Sequence, residues 1–275
     1  GYLYLVIGLG KSTEFSLVEL RHALAGAFRY MKDHDYAQYS IYLDSLIQKT
    51  RHKELGYAIG EAMSMGLYSY KGLKFEKPDF PRIDYLGGFD VNFEEFVLEG
   101  CKIGQGVCIS RDLSNTPANI LTPNEFVSYV KKLFRSYSTV KIDVIDQKKA
   151  KKLGLHAFLS VAKGSVEPPY FLSISVNKSS KERPINLIGK GVTFDSGGVS
   201  IKPSNGMSHM KSDMSGASAV IGTLYSLLEM GYKKHLHLCV PIVENMCSGS
   251  AMKPGDVIES FSGRSIEVLN TDAEG

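Results

Sequence analysis

Lys190-Gly-Val-Thr-Phe-Asp195-Ser-Gly-Gly-Val-Ser-Ile-Lys202-Pro-Ser-Asn-Gly-Met-Ser-His-Met-Lys-Ser-Asp213 is the stretch on which the reading of this chain turns. The run Ile185-Asn-Leu187-Ile188 leads into it, so Lys190 is expected just past the end of a buried strand. Gly189, Gly191, Gly197, Gly198 and Gly206 then predict a tightly bent, irregular backbone. On that backbone hang Lys190, Lys202, Lys211, Asp195 and Asp213. The final residues, Asn270-Thr-Asp272-Ala-Glu274-Gly275, add two carboxylates after another strand-like run. Carboxylates and lysines at strand ends, on glycine-rich loops, suit a cation-dependent hydrolytic site.

Working outward, strands alternate with helices on both sides of this stretch. Strands are expected over 141–145, 170–176, 184–188, 235–243 and 266–269, and helices over 123–134, 148–153, 155–162 and 216–230. Thr122-Pro-Asn-Glu125 supplies a cap, a first-turn proline and an acidic third position for the first of these helices. Upstream, strands are expected over 2–7 and 39–47 and helices from Ser16 and over 52–68 and 93–113, with a loop over 74–81. Ser16 and Glu19 have capping-box spacing, and Leu17, Leu20, Leu24 and Phe28 form an apolar stripe. Ala58, Ala62, Met65 and Gly66 offer a narrow face for close packing. Gly8-Leu-Gly10-Lys11-Ser12 looks like half of a phosphate-binding loop, but the first glycine of that spacing falls on Leu5, so a strand-to-helix turn is expected. The segment Ser114-Asn-Thr-Pro117 to Pro123 reads as a domain junction, with the boundary near residue 112. The pattern is that of an α/β sheet covered by helices, and in such sheets ligand sites lie outside the carboxyl ends of strands, where both acidic clusters fall.

Composition narrows the function classes. The 275 residues are 43% hydrophobic and 22% charged, which suits a globular protein of about two domains. A net charge of +3 with mixed signs gives no reason to expect nucleic acid or an anionic membrane as partner. No apolar run approaches the roughly 18 residues of a membrane span. Cys101, Cys108, Cys239 and Cys247 form no CxxC pair and are read as reduced thiols. The chain opens Gly-Tyr-Leu-Tyr without a basic segment, so no signal peptide is expected; a start in a strand and an end in a motif point to a piece of a longer protein.

Asp195, Asp213, Asp272 and Glu274 would repel one another strongly if drawn together, unless cations sat between them. A pair of divalent ions resolves the repulsion and suits hydrolysis, because it polarises a carbonyl and lowers the pKa of water. The ligand types allow Mg²⁺, Mn²⁺ or Zn²⁺. One lysine beside such a pair can lose its proton and ligate, while another stays protonated and donates to a developing oxyanion. His235 and His237 start their strand, away from the acidic clusters, and are read as structural; His209 is read as a solvated loop residue.

The joint spacing resembles the leucine aminopeptidase (cytosol aminopeptidase) family. Gly189 to Gly198, Ser200-Ile-Lys202-Pro203 and Met210-Lys-Ser-Asp213-Met214 are similar to its first metal-binding region, and Asn270 to Gly275 to its second. Glu244-Asn-Met246, Lys253-Pro-Gly-Asp256, Arg111 to Pro117 and Glu167-Pro-Pro169 carry the likeness over residues 111–275. The resemblance implies a smaller N-terminal α/β domain, residues 1–112, joined by a long helix to a mixed-sheet α/β catalytic domain, residues 113–275. It implies that Lys190, Asp195, Asp213 and Glu274 hold a tighter metal, and that Asp195, Asp272 and Glu274 hold a more exchangeable one. Lys202 would steady the tetrahedral intermediate, Met210 would line the pocket for the first side chain, and Asn270 would join them at the substrate. The implied activity is release of N-terminal residues, preferably leucine, from peptides by a cytosolic homo-hexamer. Two other expectations stand beside it: a metal-dependent hydrolase of another substrate, such as a phosphoester, and a non-catalytic binding protein of the same fold. The family pattern continues past Gly275 with an arginine, so the stretch by itself is expected to lack activity.

Overall fold

The computed structural model describes residues 4–11, 13–36, 38–43, 46, 50–74, 80–89, 92–178 and 183–275. The chain forms two compact units. One comprises Gly1–Tyr70, Lys74–Cys108 and Gly222–Gly231; the other comprises Lys71–Leu73, Ile109–Ile221 and Tyr232–Gly275. No helix of the described residues is long and apolar enough to cross a membrane.

In the first unit, α1 (Leu17–Asp33) starts at the expected cap: Ser16 Oγ accepts from the Glu19 N–H at 3.2 Å. Leu20, Leu24 and Phe28 are buried along its stripe. β1 (Gln38–Tyr42) pairs in parallel with β2 (Arg82–Leu86), a strand that the sequence reading does not include. β1 is shorter than expected: Leu43 and Leu46 turn into the core, and residues 44, 45 and 47 lie outside the described residues. The strand expected over 2–7 is not formed where it can be followed. Tyr4 and Val6 are 83% and 91% exposed, and no partner strand among the described residues satisfies their backbone; residues 2 and 3 lie outside the described residues. Of the loop expected over 74–81, residues 75–79 likewise lie outside them.

Helices α2 (His52–Gly66) and α3 (Phe93–Asn115) meet backbone to backbone. A Cβ added at Gly60 would lie 2.5 Å from the Cys101 nitrogen, and one at Gly56 would lie 2.6 Å from Phe96 Cβ. Gly104 of α3, whose Cβ would meet Ser64 Cβ at 2.5 Å, likewise lets the two helices approach, at the ordinary helix-propensity cost of a glycine.

The second unit is built on a mixed five-stranded sheet. After α4 (Pro123–Phe134), capped by Thr122 Oγ1 accepting from the Glu125 N–H, come β3 (Val140–Ile145), α5 (Gln147–Lys152), α6 (His156–Val161) and β4 (Tyr170–Val176). Next are β5 (Ile185–Ile188), β6 (Gly191–Asp195), α7 (Ser215–Glu229), which belongs to this unit only as far as Ile221, and β7 (Leu236–Asn245). A small hairpin, β8 (Val257–Glu259) with β9 (Ser265–Glu267), precedes the C-terminal segment. The sheet runs β3-β4-β7-β5, antiparallel across β3/β4/β7, with β5 and β6 both parallel to β7. Leu172, Ile174, Leu238 and Val240 alternate into its fully buried face.

Two expectations change here. β5 is not a buried strand: Ile185 and Ile188 are 53% and 75% exposed, because β5 pairs with β7 on one side only among the described residues. Residues 191–195 are not a bent loop but the strand β6, lying along β7 beyond β5. Gly189 and Gly191 serve close approach instead of bending. A Cβ at Gly189 would meet the Ala217 Cα at 2.7 Å, whereas between Gly189 and Asp213 the left-handed glycines begin at Gly197.

Candidate metal centre

The β6/β7 register builds the site. Val192 faces Val243; the pairing then slips, and Asp195 comes level with Asn245 at the carboxyl ends of two parallel strands. Asp195 Oδ1 accepts from Asn245 Nδ2 and from the Gly197 N–H, each at 2.9 Å. The chain then reverses through Gly197 and Gly198, with φ of 85° and 65°, a turn that other residues adopt only under strain. The Lys202 N–H returns to the Ser196 carbonyl at 2.9 Å, which brings its ammonium back over Asp195. A 3₁₀ turn, Met207–Ser212, delivers Asp213, whose N–H meets the Met210 carbonyl at 3.3 Å. The C-terminal segment is stitched to this loop by Thr271. Its Oγ1 donates to the Gly197 carbonyl at 2.6 Å and accepts from the Ser200 N–H at 2.8 Å. Asn270 Oδ1 accepts from the Asp272 N–H at 2.8 Å, an Asx turn that sets Asp272.

Oxygens of Asp195, Asp213 and Glu274 lie within 4.8 Å of one another. Two lysines face the carboxylates. Lys190 Nζ is 2.9 Å from Asp213 Oδ2 and 2.6 Å from Glu274 Oε1, and Lys202 Nζ is 3.0 Å from Asp195 Oδ2 and in contact with Asp272 Oδ1. Four carboxylates thus meet two ammonium groups, which leaves an excess of negative charge. Burial works against the charge on Lys190, but Glu274 and Asp213 outweigh it and hold its pKa above the ordinary range. Hydrogen bonding to Asp272, partly offset by burial and reinforced by Asp195, raises that of Lys202. Burial raises the Asp213 carboxyl; Lys190 opposes this, and the like charges of Asp195 and Glu274 add to it.

The residues fit a divalent cation. Asp213 Oδ2, Asp272 Oδ1 and Glu274 Oε1 are buried, and the lysine ammonium groups are the partners that reach them among the described residues. Lys190 and Lys202 reach these oxygens as ion pairs, yet the four carboxylates still outnumber the two ammonium groups, an imbalance that a divalent cation would offset. Hard oxygens with one amine suit Mg²⁺, Mn²⁺ or Zn²⁺.

Of the residues expected in the site, Lys190, Asp195, Lys202, Asp213, Asp272 and Glu274 are brought together, with Asp272 on the Lys202 side and outside the tight triad. Met210 is half-buried beside Asp213 in sequence, and Asn270 is exposed. Lys211 donates to the Asn115 carbonyl at 2.8 Å, away from the carboxylates. His237 sits between Ser173 and Ser175 on the sheet, at 3.4 and 3.1 Å, as a structural residue would. Asn245 and Thr271 are contributors that the sequence reading does not single out. The available signal was a polar residue closing the apolar run of β7.

A mixed α/β sheet with a carboxylate–lysine centre at parallel strand ends defines an α/β protein prepared for divalent cations. Residues 108–275 match the catalytic domain of the cytosol aminopeptidase family, and residues 3–77 match its N-terminal domain. The chain belongs to that family. A probable cytosol aminopeptidase of Azotobacter vinelandii is 37% identical over 280 residues, covering 98% of this chain and 56% of the relative. One from Burkholderia thailandensis is 39% identical over 282 residues, covering 98% and 55%. The solved structure of the bottromycin maturation enzyme BotP in complex with Mn superposes with a TM-score of 0.80 at 31% identity, covering 98% of this chain and 57% of that one. The chain therefore spans a little over half the length of the curated relatives it matches.

Proposed function

We propose that the protein acts as a two-metal aminopeptidase, removing N-terminal residues, preferably leucine and other apolar ones, from peptides. The observation that carries this reading is the triad of buried Asp195 with half-buried Asp213 and Glu274, flanked by two lysines, on the fold of a cytosol aminopeptidase. The similar enzyme BotP forms a complex with Mn, which supports a divalent ion of the Mn²⁺ or Zn²⁺ kind. In this reading Lys190, Asp195, Asp213 and Glu274 hold one ion, and Asp195, Asp272 and Glu274 the other. When bound, the ions supply Lewis acidity toward the carbonyl and a lowered pKa for water.

The chain's own residues do the rest. In the metal-free site Asp272 and Asp195 raise the Lys202 pKa; in this reading Lys202 is the lysine that keeps its proton and donates to the oxyanion as charge develops there. Lys190 must surrender its proton to ligate, and neighbouring cations favour that loss. Asn270 holds Asp272 through its Asx turn, and Met210 lines the pocket for the first side chain. The proposal includes residues 1–112 as the N-terminal domain and 113–275 as the catalytic one, and homo-hexamers acting in the cytoplasm. The test is hydrolysis of leucine amide by the full-length protein, with and without chelator and with Mn²⁺ or Zn²⁺ restored. Turnover abolished by chelator and recovered with metal is expected; turnover indifferent to both would refute the reading.

A further inference from the structure

We propose that Asn245 is a positioning residue for the cation centre, fixing which oxygens of Asp195 and Glu274 face the ions. The inference rests on the two-metal reading above. Asn245 is 2% exposed, at the end of β7 and level with Asp195. Its Nδ2 carries two N–H groups and has three acceptors within reach: Asp195 Oδ1 at 2.9 Å, the Thr271 carbonyl at 3.0 Å and Glu274 Oε2 at 3.4 Å. Two protons cannot serve three acceptors equally, so Asp195 and Thr271 take the short bonds and Glu274 the longer, shared one.

The consequence is a sorting of carboxylate oxygens. Asp195 Oδ1 and Glu274 Oε2 turn toward the amide, whereas Asp195 Oδ2 and Glu274 Oε1 turn toward Lys202 and Lys190. A carboxylate already held by a buried donor has lost its rotational freedom before a cation arrives, so ligation costs less entropy. The chemistry calls for an uncharged donor. An aspartate at this position would turn an acceptor on Asp195, and a lysine would add a competing cation. The strand end that carries the amide is held, because the Asn245 backbone carbonyl accepts from both the Ser196 N–H and Oγ, at 2.9 and 2.8 Å. Gly198 completes the fit, since a Cβ there would come within 2.9 Å of Asn245 Oδ1.

The test is a Mn²⁺ titration of the full-length protein, followed by the electron paramagnetic resonance of free Mn²⁺, for the unsubstituted protein, Asn245→Ala and Asn245→Leu. Circular dichroism and urea midpoints are recorded in parallel. Folded variants are expected to bind Mn²⁺ about 10- to 100-fold more weakly. A purely structural asparagine would shift the urea midpoint and leave the Kd of the folded molecules unchanged, which would overturn the assignment. Should neither variant fold, the Asn245 side-chain amide of the unsubstituted protein is read by ¹⁵N NMR. Protection from exchange and a shift on adding Zn²⁺ are expected; exchange as fast as an exposed asparagine, or resonances unmoved by Zn²⁺, would overturn it. Failure of the unsubstituted full-length protein to bind Mn²⁺ removes both this inference and the two-metal reading. Undiminished binding by folded Asn245→Ala removes this inference alone.

Discussion

Gly197 and Gly206 lie in the same stretch, and both have left-handed backbone, with φ of 85° and 83°. An alanine at either position incurs the same conformational penalty, about 1–2 kcal/mol. Their surroundings differ. A Cβ at Gly206 meets nothing within 4 Å, whereas one at Gly197 lies 2.5 Å from the Ser200 carbonyl oxygen, 3.1 Å from the Lys202 nitrogen and 3.3 Å from Asp272 Oδ1. Two of those neighbours are backbone, so relief requires the reversing loop to move, at about 1–3 kcal/mol more. That movement displaces Lys202 and Asp272 together. Gly206→Ala should thus lower the unfolding free energy by about 1–2 kcal/mol and leave Mn²⁺ affinity unchanged. Gly197→Ala should lower it by about 2–5 kcal/mol and weaken Mn²⁺ binding. Urea denaturation with parallel Mn²⁺ titration separates the two. Equal stability losses, together with equal Mn²⁺ affinities, would refute the claim that Gly197 holds the site loop by close contact.

Other expectations follow from the same geometry. Lys202→Ala in the full-length protein should lower turnover on leucine amide about 10²- to 10³-fold while metal content by elemental analysis stays the same; full activity would remove its role. Gly60→Ala, whose Cβ would press on the backbone of Val97, Gly100 and Cys101, should cost about 2 kcal/mol net of the helix-propensity gain. Gly26→Ala, exposed in α1 with nothing within 4 Å, should stabilise by about 0.5–1 kcal/mol, as read by urea denaturation. Burial pushes the Cys101 thiol from 9.0 up to about 12, so alkylation of the folded protein at about pH 8 should label exposed Cys247 and spare Cys101. The sign for stability follows: unfolded Cys101 releases its proton near 9 and folded Cys101 near 12. Its contribution is therefore whole below that window and falls by about 1.4 kcal/mol per pH unit across it.

The charged part of the site was legible because Lys190, Asp195, Lys202 and Asp213 occur at fixed spacing within one stretch, and Asp272 and Glu274 within another. The helix caps at Ser16 and Thr122 were legible for a local reason, a side-chain oxygen three residues from the N–H it accepts. What could not be read locally depends on pairing. β6 looks like a loop because glycine density signals bending, yet Gly191 is there so that the backbone can pass the Pro241 carbonyl. β2 follows a proline-rich segment and buries only part of its side chains, so no alternation marks it. Asn245 carries no charge and sits in an apolar strand; only the slipped β6/β7 register puts it beside Asp195.

The central claim is that Asp195, Asp213, Asp272 and Glu274, with Lys190, form a centre for divalent cations. Anomalous diffraction from crystals grown with Mn²⁺ tests it most directly, with Asp213→Asn crystals grown alongside. Two anomalous peaks among these carboxylates in the unsubstituted protein, with the one beside Asp213 lost or weakened in the variant, are the predicted result. Crystals that contain Mn²⁺ and show no peak among these residues would contradict it.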